Sequence, residues 1–187
     1  VHLNVQVSKE ACPLNLAPTA STTATLALGD ALAVTLLNSR QFTAENFALS
    51  HPGGNLGKRL LLTVQQIMVT GDLIPRVTPN VLLKIAIMEM TQKKLGMTTI
   101  VDEQNSLLGI FTDGDLRRVF SREFDLEKTT IASVMTQNPK TISDQAMAVD
   151  ALDAMKQYKI TALAVVNQEN RVCGVVHMHD LLRVGLS

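Results

Sequence analysis

The C-terminal two thirds of the chain carry the same order of hydrophobic and polar positions twice. Residues 107–118 (LLGIFTDGDLRR) recur as residues 172–183 (VCGVVHMHDLLR), with Gly109 and Gly174 in register at an offset of 65. Apolar positions further upstream keep the same offset. The pattern therefore indicates an internal duplication.

The start of the duplication is out of step by two residues. Ile67 and Met68 match Val134 and Met135 at an offset of 67, so the first copy carries two extra residues. We place them in its TGDLIP loop, residues 70–75. Glycine and proline are typical of a loop, and loops tolerate insertions better than helices or strands do.

The pattern of each copy predicts a strand, a helix, two strands and a closing helix. A short segment, which we call the leading segment, precedes them. The leading segments are residues 64–68 and 131–135, and the first extended pieces are 75–77 and 140–142. Helical spacing then covers 81–90 and 148–155, strand patterns cover 98–101, 107–111, 162–166 and 171–176, and the closing helices cover 115–120 and 180–185. A unit of about 55 residues is too small to bury both faces of its sheet. We therefore expect two α+β units that pack against each other.

A different pattern occupies the first 60 residues. Residues 1–7 alternate between apolar and polar, which predicts a strand. A helix is predicted after Pro18, and the nearly all-round hydrophobicity of residues 24–37 predicts that it is buried. The hydroxyl residues at its N-terminus lie where an anion or a polar substrate would be received: Ser21, Thr22 and Thr23.

A glycine-rich loop follows this helix. Residues 50–57 read SHPGGNLG, in which one proline and three glycines let the backbone approach a ligand closely. His51 stands at the head of the loop, and an imidazole there is a suitable general base near neutral pH. The alternative is a solvated histidine without a role.

Composition and charge exclude several classes of function. The 187 residues are 46% hydrophobic and carry 17 basic and 17 acidic side chains. This balance gives no strong field that would gather nucleic acid or an anionic membrane, so an anionic ligand needs a local site. The longest apolar run is interrupted at Gly29 and Asp30, and we expect no membrane span and no signal peptide.

The two cysteines and the C-terminal histidines offer little metal chemistry. Cys12 and Cys173 lie far apart without metal-type spacing, which favours reduced thiols in a cytoplasmic protein. His177 and His179 are two residues apart and could form a metal pair, but no third ligand is identifiable, so we predict no metal site. Basic residues beside the closing helices could meet a phosphate or form an exposed edge: Arg117, Arg118 and Arg183.

The order of elements, with GIFTDGDL at residues 109–116, resembles the tandem cystathionine-beta-synthase (CBS) domain pair over about residues 62–187. In that family a Thr or Ser and an Asp three residues later frame a cleft for adenosine-type ligands. The resemblance implies nucleotide binding by Thr112 and Asp115. The second copy keeps Asp180 but has His177 where the pattern has Thr or Ser. The alternative is that both aspartates only cap their helices.

The chain also resembles a second family. Residues 7–34 (VSKEACPLNLAPTASTTATLALGDALAV) and 47–61 (FALSHPGGNLGKRLL) are similar to the end of the sugar isomerase (SIS) domain of bacterial arabinose-5-phosphate isomerases, whose members continue into a CBS pair. The resemblance implies the C-terminal part of a parallel α/β SIS domain over residues 1–60, a CBS domain over 61–126 and another over 127–187.

This family interconverts ribulose 5-phosphate and arabinose 5-phosphate on the route to 3-deoxy-manno-octulosonate, a sugar of lipopolysaccharide. The resemblance implies that His51 and Glu10 belong to the catalytic set. Aldose–ketose isomerisation needs a base and an acid positioned together, and these two side chains can supply one of each. The sequence leaves open which of them removes the carbon-bound proton.

The resemblance also sets expectations for partners and for completeness. The phosphate-binding loop of the SIS domain precedes the matched segment, so we expect a C-terminal part of an isomerase without turnover of its own. We further expect a homo-oligomer, with a tetramer as the family's form, no required cofactor, and a nucleotide or CMP-activated sugar as effector of the CBS pair. The alternative function is a nucleotide-sensing CBS module without catalysis. A transcription regulator would need a basic helix-turn-helix segment, and none is visible.

Overall fold

The computed structural model describes residues 1–50, 54–121 and 125–186. The chain divides into two compact units, Val1–Phe47 and Ala48–Ser187. The helices are α1 (Ala20–Ser39), α2 (Ala44–Ser50), α3 (Asn55–Leu61), α4 (Leu83–Lys93), α5 (Asp113–Phe120), α6 (Ala148–Tyr158) and α7 (Met178–Arg183). The strands are β1 (Arg76–Val77), β2 (Met97–Val101), β3 (Leu107–Thr112), β4 (Thr136–Gln137), β5 (Thr141–Ser143), β6 (Ala162–Val166) and β7 (Val172–His177). The domain boundaries predicted at residues 60/61 and 126/127 stay predictions.

The first unit differs from two sequence-based expectations. Residues 1–7 form no strand, because the unit Val1–Phe47 contains no other strand to pair with them and an unpaired strand is not stable. Helix α1 forms as predicted, but none of its residues is buried. The prediction of a buried helix was therefore wrong: α1 is apolar on all sides, and its own unit has no other element large enough to cover it.

Helix α1 also corrects the expectation that no segment reaches membrane-spanning length. Ala20–Ser39 is long and apolar enough to cross a bilayer by length and composition alone, with a mean hydropathy of 1.4. Gly29 and Asp30 do not interrupt the helix. Core helices of soluble proteins satisfy the same criterion, so the observation is weak evidence for a membrane location.

The second unit contains both copies of the duplication, and its elements follow the predicted order. In the first copy, β2 lies between β1, to which it is parallel, and β3, to which it is antiparallel. In the second copy, β6 takes the same place between β5 and β7. The strand, helix, strand, strand, helix prediction is confirmed for both copies. Strand β4, which extends the first sheet beside β3, was not predicted.

The leading segments exchange partners between the copies. Val64 begins the first copy, yet its N–H donates to the carbonyl of Ala146 at 2.9 Å and its side chain is fully buried in the core around α6. Ile131 begins the second copy, yet its N–H donates to the carbonyl of Val81 at 2.9 Å and its side chain is fully buried in the core around α4. Each copy therefore completes the core of the other.

The strand pairings carry the same exchange. Val69, after the first leading segment, pairs with Val175 of β7 in the second copy. Thr136, after the second leading segment, pairs with Ile110 of β3 in the first copy. A third apolar cluster takes residues from both copies: Ile74, Met97, Val101, Ala164, Val172 and Val175. The two copies thus form one inseparable unit.

The two-residue insertion lies where the sequence predicted it. Val69 and Thr136 make equivalent pairings at an offset of 67, whereas Arg76 and Thr141 make equivalent pairings at an offset of 65. The extra residues therefore fall between Val69 and Arg76, where a short 3₁₀ turn, Gly71–Leu73, takes up the added length.

Two glycines permit the close approach of the exchanged segments. A Cβ atom on Gly109 would lie 2.8 Å from Sδ of Met135 and 2.9 Å from the carbonyl oxygen of Thr136. A Cβ on Gly174 would lie 2.5 Å from Sδ of Met68 and 2.9 Å from the carbonyl oxygen of Val69. Backbone oxygen cannot move aside as a flexible side chain can. The duplicated glycine is therefore a packing requirement of the exchange.

We expect Gly109→Ala and Gly174→Ala each to lower the free energy of unfolding of the duplicated unit by about 1–3 kcal/mol, because the added methyl group overpacks the contact with the exchanged segment. Chemical denaturation of the full chain measures this change. Gly29→Ala is the control, because no atom lies within 4 Å of its Cβ position and alanine is the better helix former. An unchanged midpoint in both test variants would contradict the packing requirement.

Candidate functional site

Asp115 accepts hydrogen bonds at both oxygens of its carboxylate. Its Oδ2 accepts hydrogen bonds from the backbone N–H of Thr112 at 2.9 Å and from the Thr112 hydroxyl at 2.6 Å. Its Oδ1 accepts from the hydroxyl of Thr136 at 2.8 Å and pairs with the guanidinium of Arg118. The residue is 5% exposed. Thr112 and Asp115 form a capping box at the start of α5, so the capping role considered from the sequence is present.

These hydrogen bonds favour the ionised form of the Asp115 carboxylate. Burial alone would raise the pKa of Asp115, but the hydrogen bonds from Thr112, Thr136 and Arg118 together outweigh burial and hold that pKa below its usual value. Asp115 is therefore ionised at neutral pH. An ionised carboxylate held by donors from both copies is suited to accept further hydroxyl donors that replace the weaker of its present partners.

A cleft of about 600 Å³ opens beside Asp115, and both copies line it. The first copy contributes the β3–α5 junction, and the second contributes residues 136–140 and 159–162. Four cationic side chains are among the described residues at its wall: Arg117, Arg118, Lys140 and Lys159. The ammonium of Lys140 lies 4.7 Å from the ring centroid of Tyr158, which is a cation–π contact. The cleft therefore combines an acceptor for hydroxyl groups with an excess of positive charge.

The corresponding place in the second copy is built differently. Asp180 pairs with Arg183 at 3.1 Å. His177, at the position of Thr112, accepts a hydrogen bond from the backbone N–H of His179 at its Nδ1 and so caps α7. Burial lowers the pKa of His177, and the nearby His179 lowers it further, while Asp180 acts in the opposite direction. His177 is thus a neutral cap at pH 7.

The histidine pair does not form a metal centre with other described side chains. The rings of His177 and His179 stack with centroids 5.0 Å apart. Within residues 1–50, 54–121 and 125–186, no group of three or more His, Cys, Asp or Glu side chains is placed to hold an ion. The cap hydrogen bond also occupies Nδ1 of His177.

Glu10 caps the N-terminus of α1. Its Oε2 accepts from the backbone N–H of Thr19 at 2.7 Å, from the Thr19 hydroxyl at 3.0 Å and from the backbone N–H of Ser21 at 3.3 Å. Hydrogen bonding by the Ser21 side chain, followed by the Thr19 backbone, lowers the pKa of Glu10 from 4.5 to about 2. The carboxylate also has the favourable orientation to the helix dipole.

The three hydroxyl residues predicted to bind substrate lie in the first turn of α1. Ser21 faces Glu10, whereas the hydroxyls of Thr22 and Thr23 both donate to the carbonyl of Thr19 at 2.9 Å. The Glu10 carboxylate thus occupies the helix terminus at which an anion was expected. The substrate-binding assignment stays a prediction, and His51 lies outside the described residues.

The sequence pattern did not single out Thr136, Lys140 and Lys159 as part of the cleft. Thr136 directly follows the matched pair Val134 and Met135, but nothing in the pattern shows that this segment crosses to the first copy. A prediction of the exchange would have placed Thr136 beside Asp115 and brought the neighbouring Lys140 near the same site.

Comparison with known families agrees with the duplicated fold. A model of the CBS domain matches residues 64–122 and residues 131–187. The chain belongs to the CBS domain family. The two matched stretches are the two copies of the duplication, and the CBS pair is the unit that forms the cleft.

Curated proteins that match the whole chain include arabinose 5-phosphate isomerases. The chain is 54% identical over 186 residues to the arabinose 5-phosphate isomerase KdsD of Pseudomonas aeruginosa and 55% identical to that of Escherichia coli K12. The match covers 100% of this chain, but only 57% and 56% of those proteins. The chain therefore spans somewhat more than half the length of the relatives it matches.

Solved structures similar to the chain are CBS pairs. The CBS pair of protein MJ0100, in complex with 5′-methylthioadenosine and S-adenosyl-L-methionine, has a TM-score of 0.58 and 25% identity, covering 65% of this chain and 94% of that one. CBSX2 in complex with AMP has a TM-score of 0.56 and 21% identity, with the same coverage. CBSX2 is a protein of Arabidopsis thaliana. At 21% identity, the likeness to it supports the fold alone.

We expect the helix content of the chain to fall in acid with a contribution from Glu10. Because folding lowers the pKa of Glu10, its stabilisation of α1 is complete above the unfolded value of 4.5 and is lost as the pH falls towards 2. Circular dichroism measures this loss. Glu10→Gln removes the pH-dependent contribution, whereas Asp30→Asn, on the same helix, serves as the control. Identical acid transitions in the parent chain and in Glu10→Gln would contradict the capping role.

Proposed function

We propose that the chain is part of an arabinose-5-phosphate isomerase, which interconverts D-ribulose 5-phosphate and D-arabinose 5-phosphate for 3-deoxy-manno-octulosonate and lipopolysaccharide synthesis. The observation that carries this proposal is the 54–56% identity to KdsD relatives, which extends over 186 residues and so includes the N-terminal unit as well as the CBS pair. A CBS module with an unrelated N-terminal segment would be expected to match other families only over the duplication.

His51 and Glu10 form the proposed catalytic pair. Isomerisation moves a proton between adjacent carbons through an enediol, so one group must act as base and another must manage the charge on oxygen. A carboxylate with a pKa of about 2 is a weak base, and the α1 terminus already engages Glu10. We therefore assign removal of the carbon-bound proton to His51. Glu10 stays the second member of the proposed pair and also orders the helix start at which Ser21, Thr22 and Thr23 would meet hydroxyl groups of the substrate.

We further propose that the CBS pair binds a nucleotide or CMP-activated sugar that regulates the isomerase. The cleft beside Asp115 supports this, because it offers an ionised acceptor for ribose hydroxyls and cationic side chains for a phosphate. The likeness to the CBS pair of MJ0100 with adenosine compounds supports the adenosine class. The proposed nucleotide-binding residues are Thr112 and Asp115, with Asp180 and His177 as their counterparts.

A nucleotide-sensing module without catalysis is the alternative function. It is favoured by the cleft beside Asp115, which offers groups for a nucleotide within the CBS pair itself. The match of the N-terminal unit to isomerases disfavours it. The sugar-phosphate substrate follows from the name of the isomerase relatives. Assembly into homo-oligomers and a cytoplasmic location are further parts of the isomerase proposal.

The isomerase proposal is tested by joining residues 1–187 to the part of the Escherichia coli relative that this chain does not match. We expect the joined protein to form arabinose 5-phosphate from ribulose 5-phosphate, and residues 1–187 alone to show no turnover. His51→Ala in the joined protein is expected to lower kcat by about 10²-fold or more, the usual contribution of a general base. His2→Ala, at an exposed histidine, is the control.

Three outcomes decide among the proposals. An inactive joined protein that folds as the relative does would favour the sensing module. An active His51→Ala variant would remove His51 from the catalytic pair. Addition of AMP or CMP to the active protein is expected to change its turnover, and an unchanged rate with every nucleotide would contradict the effector proposal.

A further inference from the structure

The duplication allows each position of the cleft to be compared with its counterpart in the other copy. Asp115 accepts a hydrogen bond from the Thr136 hydroxyl at 2.8 Å. Thr136 lies in the exchanged segment of the second copy. The counterpart of Thr136 at the offset of 67 is Val69, which makes the equivalent strand pairing and has no hydroxyl. Asp180 therefore has no equivalent of the Thr136 hydroxyl, which links Asp115 to the opposite copy.

The residues at the start of the closing helix also leave less room for a ligand in the second copy than in the first. Thr112 has a small hydroxyl side chain that bonds Asp115, and Gly114 leaves the space beyond it without a side chain. Their counterparts at the offset of 65 are His177 and His179, whose rings stack on each other. Two imidazole rings thus stand in the second copy where the first has one hydroxyl group and a glycine.

The positive charge is also unequal. The cleft beside Asp115 is lined by two arginines of α5 and by two lysines of the second copy. Arg118 and Lys159 have basic counterparts in Arg183 and Lys94. The other two cations do not, because Arg117 corresponds to Leu182 and Lys140 corresponds to Pro75. Two of the four cationic positions beside Asp115 therefore have no basic counterpart, while the acidic Asp113 of the same cleft corresponds to the uncharged Met178. The net positive charge of these positions is still lower in the second copy.

We propose that a nucleoside phosphate binds beside Asp115 and not at the counterpart beside Asp180, so that each chain takes up one nucleotide. This inference rests on the proposed nucleotide-binding function and narrows it to one cleft. Hydroxyl donors, open space and positive charge coincide beside Asp115, and each of them is reduced in the second copy.

Arg118 makes the same cleft selective for a ligand that has both a diol and a phosphate. The Arg118 guanidinium pairs with Asp115, yet the Arg118 side chain is 67% exposed. An ion pair of this exposure is weak, so ribose hydroxyls can replace the guanidinium on the carboxylate. The released guanidinium then meets the phosphate, for which its planar donors are suited. Neither a free phosphate nor a nucleoside satisfies both groups.

Isothermal titration of the full 187-residue chain with AMP, and with CMP as a second base, tests the inference. We expect a stoichiometry of about one nucleotide per chain. Arg117→Gln and Lys140→Gln are each expected to weaken binding by about tenfold or more, the usual loss for a charge-assisted hydrogen bond. 2′-Deoxy-AMP and adenosine are expected to bind less tightly than AMP by a similar factor.

Controls come from the cationic residues at the counterpart cleft beside Asp180. Arg183→Gln and Lys94→Gln change the same residue types as the test variants, at the counterparts of Arg118 and Lys159, and should leave the affinity within about twofold. Each of these four side chains is exposed, and circular dichroism checks that the variants fold. Two equal sites per chain, or equal losses in the test and control variants, would overturn the inference. No binding of any nucleotide would overturn the effector proposal as well.

Discussion

The exchange of leading segments between the two CBS copies is the constraint on which the rest of the structure depends. Val64 and Ile131 are fully buried, each in the core of the copy to which it does not belong in sequence. Full burial of a valine or isoleucine contributes about 1.5–3 kcal/mol relative to an exposed position. Neither core is complete without its exchanged residue, so the two copies fold as one unit.

The same exchange builds the candidate site. Thr136 lies directly after the second leading segment and pairs with β3, which brings its hydroxyl to Asp115 and brings Lys140 to the same cleft. Gly109 permits this approach because any side chain would meet the carbonyl of Thr136. A ligand that bonds Asp115 therefore acts on both copies at once, which is a route by which binding can be transmitted through the unit.

Much of this fold follows from the sequence because the duplication shows each element twice. The glycine and aspartate positions in register at residues 109–116 identify the β3–α5 junction, and the change of offset before Arg76 locates the insertion. The core that Val64 joins was not predictable, because an apolar residue fits either copy by its pattern. The exposure of α1 was not predictable either, since periodicity reports the hydrophobicity of a helix and not what covers it. Thr136 was missed because nothing in the pattern shows that its segment pairs with the first copy.

The central claim is that both copies together form one ligand cleft, at Asp115. Hydrogen–deuterium exchange of the full chain with and without AMP tests it most directly, because the cleft is composed of segments far apart in sequence. Binding is predicted to slow exchange together in residues 110–118, 136–140 and 159–162. Slower exchange confined to residues 177–183 and 71–75, around Asp180, would contradict the claim.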